Sequence, residues 1–284
     1  MIAQTWLRDV LARLPTLKLF HSETNATALL DQYVDTFPSA QNAVDTVPGW
    51  NHAFPPALGL NAGHAALYND DRIRWCLEQA GSIAGQSVLE LGPLEGMHTY
   101  MLSKAGADNI DAIEANRLAY LRCLITREIL KFDRASFHLG DFNQWMMQCG
   151  RTYDLTLASG VLYHSADPVH LIDLIAKSSN TFFIWTHYFA ETLKDPADLR
   201  GVPFSGRVKK QDFAGLNLQL HERHYYKAWR SAKFCGGLQD LHYWMTVEDI
   251  LSLIDVLGFD CVTAHDDPNH VNGPCISIFA RRRA

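Results

Sequence analysis

Apolar and polar positions along the chain follow two rhythms, and the switches between them place most of the elements. Trp6, Leu7, Val10, Leu11 and Leu14 recur at helical spacing until Pro15, and Ala28, Leu29, Tyr33 and Val34 follow Thr27, a suitable N-cap. Residues 1–36 therefore read as a helical extension whose stripes cover the core, form a lid or make a homodimer contact. From 37 to 70 the rhythm is lost among Phe37-Pro38-Ser39, Pro48-Gly49-Trp50, Phe54-Pro55-Pro56, Gly59 and Gly63. This reads as a long irregular connection of the kind that often covers a site. Its Trp50, Phe54, His64 and Tyr68 either line a pocket or staple the loop to the core.

Asp71 to Ala80 has a helical pattern with Ile73, Cys76 and Leu77 inward. Next comes SVLELGPLEGMHTY at Ser87 to Tyr100: a short apolar run, a turn at Gly92-Pro93 and Gly96, then a helix start in which Met97, Tyr100, Met101 and Ala105 repeat. Asn109 to Glu114 alternates as a strand and ends on an acid. Arg117 to Leu130 reads as a helix with Leu118, Leu121, Leu124, Ile125 and Ile129 on its buried side. Ala135 to Phe142 is a short strand closing on Gly-Asp-Phe, and Tyr153 to Gly160 is another ending in small residues. Asp167-Pro168 opens a helix over Val169 to Ala176, and Thr181 to Tyr188 is a strand buried on both faces. Strands and helices thus alternate from Leu89 to Trp185, which predicts a parallel sheet with helices on both faces.

Residues 189–245 break the rhythm with charged, polar and glycine residues among scattered aromatics, and read as an insertion over the carboxyl edge with a small antiparallel element. Thr246 then caps a helix carrying Ile250, Leu253, Ile254 and Leu257, and Phe259 to Val262 and Cys275 to Ala280 make a closing antiparallel hairpin. Two regions follow: a helical extension and aromatic cover over 1–70, and an α/β domain over 71–284 with an insertion at about 189–245.

Composition narrows the classes. Of 284 residues, 48% are hydrophobic, enough for a sizeable core and against disorder. A net charge of -6 argues against nucleic-acid binding through a broad basic face. Arg281-Arg282-Arg283 reads as a solvated tail. The six cysteines make no C-x-x-C pair and no zinc-module spacing, and read as reduced, mostly buried thiols of a cytoplasmic protein. Neither a signal peptide nor a membrane span is visible. His164, His187 and a nearby acid lack ligand spacing, so no metal is expected.

The glycine turn carries the candidate chemistry. In open parallel α/β sheets, nucleotide-like ligands sit at such strand-to-helix turns, and Gly92 lets one approach the backbone. Glu114 lies about twenty residues on, where a carboxylate reaches two ribose hydroxyls or, alternatively, serves only the following helix N-terminus. Asp141 would accept a hydrogen bond from an adenine amino group beside Phe142, or simply cap its loop.

Taken together, VLELGPLEG, IDAIEAN, LGDF, YDLTLASGVLYHSADP and the late helix-plus-hairpin resemble the class I S-adenosylmethionine-dependent methyltransferases over about residues 70–190 and 246–281. ASGVLYH followed by D-P is similar to the branch containing the tRNA uridine-5-oxyacetic acid enzyme and related methyltransferases of unassigned substrate. Pro93 and Leu94 depart from the family's glycine loop. The resemblance implies a Rossmann-like doubly wound sheet with S-adenosylmethionine as cofactor. Glu90, Gly92 and Pro93 would contact its methionine portion, Glu114 the ribose and Asn116 the adenine edge. Asp141 and Phe142 would hold the adenine, and Ser159, Gly160 and Val161 would flank the amino acid and sulfonium. Trp50, Tyr68 and Tyr163 are the rings placed to face the cation.

The implied reaction is in-line methyl transfer to oxygen or nitrogen, in which the protein aligns the partners and excludes water. A hydroxyl acceptor needs a base, and His164, His187 and Tyr163 lie at the correct edge. The acceptor expected is a small molecule or glycan-type metabolite. An RNA-modifying enzyme is the alternative, with Arg207–Lys210 as its internal support. Transfer of a carboxymethyl group would need a cation, and no lysine occurs between 19 and 103, leaving arginines such as Arg72 and Arg74. A non-catalytic cofactor binder is the third reading.

Overall fold

The computed structural model describes residues 33–284, so most of the expected N-terminal helical extension lies outside the described residues. Residues from Ala43 to Ala284 form one compact unit, which holds both sheets and the cavities below. Helix α1 (Ala40–Thr46) interrupts the segment expected to be irregular. The rest of that segment, to Asn69, is loop with two single 3-10 turns.

The elements then alternate: α2 (Asp71–Ala80), β1 (Ser87–Leu91), α3 (Met97–Lys104), β2 (Asn109–Glu114), α4 (Arg117–Leu130), β3 (Ala135–Leu139), α5 (Phe142–Gln148), β4 (Tyr153–Ser159), α6 (Pro168–Ser178) and β5 (Ser179–His187). The insertion forms β6 (Phe204–Phe213), β7 (Leu216–His224) and β8 (Leu241–Trp244), a three-stranded antiparallel sheet. The chain closes with α7 (Val247–Val256), β9 (Phe259–Asp267) and β10 (Cys275–Arg282).

The main sheet has seven strands in the order β3-β2-β1-β4-β5-β10-β9. β1, β2, β3, β4 and β5 pair in parallel, and β10 runs antiparallel to both β5 and β9. Sequence order reverses between β1 and β4, so the connections after these two strands leave in opposite directions and open a crevice at their carboxyl ends. Capping side chains set the helix starts along this edge. Asn116 accepts from the N–H groups of Leu118 and Ala119, Asp141 from Asn143 and Asp167 from His170, with Pro168 supplying a fixed φ at the first position of α6. Thr246 caps α7 by accepting from Asp249 N–H.

Nine of the eleven residues of α6 are buried. Its apolar residues pack between the sheet and α7 together with Leu218 and Leu220 of the insertion, and His170 and Lys177 remain exposed. Three expectations are corrected here. The buried face of α4 carries Ala119, Arg122, Cys123 and Thr126, whereas Leu118 and Leu121 are exposed. A buried arginine inverts a pattern read from apolar residues alone. Asp111 does not alternate outward on β2; it is buried, held by Arg151, Tyr153 and His138. β9 extends to Asp267, carrying Asp266 and Asp267 within the strand rather than the connection.

Two smaller differences follow from local partners. Only Cys76, Cys123 and Cys275 are buried; Cys235 and Cys261 are exposed, and all six are free. The C-terminal arginines are not a solvated tail: Arg282 donates to Ser179 O, and Arg283 pairs with Asp260 and Asp255. Among the described residues, no helix is long and apolar enough to cross a membrane.

Candidate active site

A cavity of about 620 Å³ occupies the crevice at the switch between β1 and β4. The turn after β1 supplies Gly92, Pro93 and Leu94, the end of β2 supplies Glu114 and Asn116, the turn after β3 supplies Asp141 and Phe142, and the end of β4 supplies Ser159, Gly160 and Val161. Tyr163 and His164 follow on the same wall. Gly92 has φ +64°, and a Cβ there would lie 2.8 Å from Val161 Cγ1. Only glycine keeps this turn open at the cavity wall.

Glu114 is buried and already oriented. Oε1 accepts Asn116 N–H at 2.7 Å, and Oε2 accepts Leu94 N–H at 3.0 Å. Each oxygen keeps a second lone pair for a ligand. Burial raises its pKa, against the pull of those backbone donors. Asn116 and Asp141 each cap a helix and each line the cavity. Three lining side chains have buried polar atoms without a hydrogen-bond partner, Ser159 Oγ, Asn143 Oδ1 and His52 Nδ1. Such orphans are costly unless a ligand or water engages them.

Some expected residues lie elsewhere. Glu90 is not part of the lining; it is buried behind it, bonded to Thr99 Oγ1, and burial pushes it up to about 8. Trp50 and Phe54 staple the loop: they are buried 5.4 Å apart, and the Trp50 indole donates to Val44 O at 2.8 Å. Tyr68 packs against the same cluster, and from this segment His52 and Leu67 line the cavity instead. His187 is also absent from the lining. Its ring stacks on Trp244 at 5.2 Å, and Nδ1 lies 2.8 Å from Gly273 O. Burial lowers it to about 4.

His164 faces the cavity and meets Tyr225 of the insertion, with Oη 2.5 Å from Nδ1. The Tyr225 hydroxyl already accepts Gly237 N–H at 2.9 Å, so its own proton is directed at His164 Nδ1. That leaves the His164 proton on Nε2, a donor. Burial holds His164 well below its usual range, so the ring stays neutral. Burial also raises the Tyr163 phenol, which keeps its proton.

Other lining residues were missed because they sit inside helical or irregular patterns. His98, in the first turn of α3, bonds Asp70 at 2.9 Å. Asp70 also accepts both Nε and Nη2 of Arg72, whose guanidinium lies 4.2 Å over the Trp185 ring. Burial would raise Asp70, but its bonds from His98 and Arg72 outweigh that and hold it well below the carboxylate range. Across the cavity the insertion contributes Trp229, Phe234, Cys235, Leu238 and Gln239. It is anchored by Trp244 Nε1 donating to Tyr163 O at 3.0 Å and Tyr243 N–H to Ser165 O at 3.0 Å. Among the described residues lining the cavity, Arg72 is the only arginine or lysine.

Several solved structures share this architecture. The N-terminal domain of EvdMO1, solved in the presence of SAH and D-fucose, matches with a TM-score of 0.65 at 18% identity, over 86% of this chain and 95% of that one. Magnesium protoporphyrin IX methyltransferase (ChlM) from Synechocystis PCC 6803, with bound SAH, matches at 0.51 and 16% over 74% and 80%. The 1,6-didemethyltoxoflavin-N1-methyltransferase of Burkholderia thailandensis, with 1,6-didemethyltoxoflavin and S-adenosylhomocysteine, matches at 0.51 and 14% over 77% and 79%. No family model and no curated protein matches the chain. The chain has the Rossmann-like α/β fold of S-adenosylmethionine-dependent methyltransferases, as its motifs implied.

Proposed function

We propose that the protein transfers a methyl group from S-adenosylmethionine to an oxygen or nitrogen of a neutral, hydroxylated small molecule of the glycan type. The observation that carries the reading is the single cavity joining Gly92, Glu114, Asp141 and Gly160 at the strand ends to the Trp229–Gln239 wall of the insertion. The strand-end side suits the cofactor. Glu114 offers two oriented acceptors for ribose hydroxyls, and Asn116, Asp141 and Phe142 surround the place for adenine. Ser159 Oγ and Asn143 Oδ1 await partners that a nucleoside and an amino acid supply. Arg72, stacked on Trp185 beside Gly160, is the cation for the methionine carboxylate. Bound there, the cofactor supplies an electrophilic methyl carbon on a sulfonium.

The insertion side suits the acceptor. Tyr163, Trp229 and Phe234 offer ring faces, and His164, Ser165, Asp167 and Gln239 offer hydrogen bonds, which together fit an oxygenated ring. His164 Nε2–H donates to an acceptor oxygen and orients it. Asp167, fixed as the cap of α6 through His170 N–H at 3.0 Å, is the carboxylate that takes the hydroxyl proton. The D-fucose in the EvdMO1 domain supports a sugar-like acceptor by analogy of fold alone.

RNA is the less favoured acceptor. Phosphate recognition relies on arginine and lysine, and among the described residues lining the cavity there is one such side chain, Arg72, which the cofactor already engages. Arg207 of the basic cluster pairs with Glu222 at 2.9 Å, and Lys209 lies over Tyr243. The test is S-adenosylhomocysteine formation from the methyl donor with neutral glycosides, with unmodified transfer RNA and with no acceptor. Turnover with glycosides alone is the expected outcome. Turnover with RNA, or tight cofactor binding with none across the panel, would overturn the acceptor assignment.

A further inference from the structure

A second group of side chains with metal-binding chemistry lies behind Trp185, outside the lining just described. His187 ends β5 and Cys275 begins β10, and the two are directly paired in the antiparallel register. Their side chains therefore leave the sheet on the same face. His270, in the turn before β10, closes the group: one ligand atom from each of the three lies within 4.8 Å of the others. His187 and Cys275 are buried and His270 is half-buried.

The surroundings prepare these donors. His187 Nδ1 meets two carbonyl oxygens, Gly273 O at 2.8 Å and Pro274 O at 3.2 Å. Carbonyls only accept, so the His187 proton sits on Nδ1 and the lone pair on Nε2, the tautomer a metal takes. His270 Nδ1 accepts a 3.2 Å bond from Asn272 N–H, which a metal would replace. Arg200 ties the turn in place by donating to Pro268 O and His270 O at 3.0 and 3.1 Å. Beside the group opens a second cavity of about 440 Å³, bordered by Trp185, Asp266 and Asp267.

We propose that His187, His270 and Cys275 bind one zinc ion, with a fourth position open to this second cavity. Two imidazoles and a thiolate suit zinc, whereas magnesium and calcium prefer oxygen ligands. Binding releases one proton, from the Cys275 thiol to solvent, and leaves a site of net charge +1. Asp266 and Asp267 face that charge from β9, and the nearby Arg72 is neutralised by Asp70. The ion would clamp the turn between β9 and β10 against Trp185, which borders both cavities.

The test uses the full chain, stripped with a chelator and titrated with Co2+ as a spectroscopic stand-in. One equivalent should give visible bands of a tetrahedral site and a near-ultraviolet thiolate-to-cobalt band. Cys275→Ser should abolish the near-ultraviolet band, and His270→Ala should weaken Zn2+ binding by calorimetry about tenfold or more. If Cys275→Ser does not fold, His270→Ala at its half-buried turn decides alone. A wild-type protein without the thiolate band, a band retained in Cys275→Ser, or an unchanged Zn2+ affinity in His270→Ala would each overturn the proposal.

Discussion

Replacing Glu114 by alanine tests the cofactor half of the site most directly. In the proposed complex each carboxylate oxygen uses its remaining lone pair to accept one ribose hydroxyl. A hydrogen bond to a charged group contributes about 1.5–3 kcal/mol net. Losing two, with partial compensation by water, costs roughly 3–5 kcal/mol, or about two to three and a half decades in Kd. The same change strips the acceptors from Asn116 N–H and from Leu94 N–H, and Leu94 sits at φ +55° in the turn after β1. Some loss of order in that turn therefore accompanies the loss of contact. Glu114→Gln separates the two effects, because its amide keeps one acceptor and fills the same space. Calorimetric titration with S-adenosylhomocysteine should show alanine weakest and glutamine intermediate, with thermal melting run alongside. Because burial raises the Glu114 pKa, wild-type affinity should fall with decreasing pH, starting above the usual glutamate range. Affinity within threefold of wild type in a folded Glu114→Ala protein would refute the ribose role.

Asp167→Asn keeps an N-cap for α6 but removes the base, so kcat on a hydroxyl acceptor should drop about 10²- to 10⁴-fold while cofactor affinity holds; an unchanged kcat would exclude Asp167 from proton transfer. Glu90, pushed up to about 8 by burial, holds its proton in the folded state over a pH range where the unfolded chain has lost it. Folding therefore loses stability as pH rises from about 4.5 to 8, and Glu90→Gln should stabilise by roughly 3–5 kcal/mol at pH 9 and by little at pH 4; equal urea midpoint shifts at both pH values would contradict this. Arg122 is fully buried, 3.4 Å from the buried Glu95 carboxylate, and donates to Pro48 O at 2.7 Å. Arg122→Met should cost about 3–5 kcal/mol by stranding that carboxylate, and Arg122→Met with Glu95→Gln should recover part of it; strictly additive losses in a double-mutant cycle would show no coupling.

The legible part of the molecule was the part ruled by local rules. The turn at Gly92, the acid ending β2, the caps Asp141 and Thr246 and the helix start at Asp167-Pro168 follow from backbone geometry and nearby donors, which a single sequence carries. The strand alternation from Leu89 to Trp185 located the sheet for the same reason. What escaped depended on long-range partners. Asp111 looked like an outward residue because Arg151, Tyr153 and His138, which hold it inside, lie 27 to 42 positions away. Arg122 hid the inner face of α4 because its partner Glu95 belongs to another element. His98 was hidden in a helical repeat until Asp70 was seen to face it. His187, Cys275 and His270 have no motif spacing at all; only the antiparallel return of β10 brings them together.

The half of the cavity away from the strand ends is built largely from 229–239, a stretch fastened by Tyr225 to His164 and by Trp244 to Tyr163 rather than woven into the seven-stranded sheet. Selectivity and donor grip are therefore separable pieces of the polypeptide. Exchanging residues 229–239 for a stretch of another length should change which molecules are accepted while leaving the nucleoside cradle, and the core packing of Leu218 and Leu220, in place. A directed library confined to that stretch would explore new acceptors at little cost to folding of the parent scaffold.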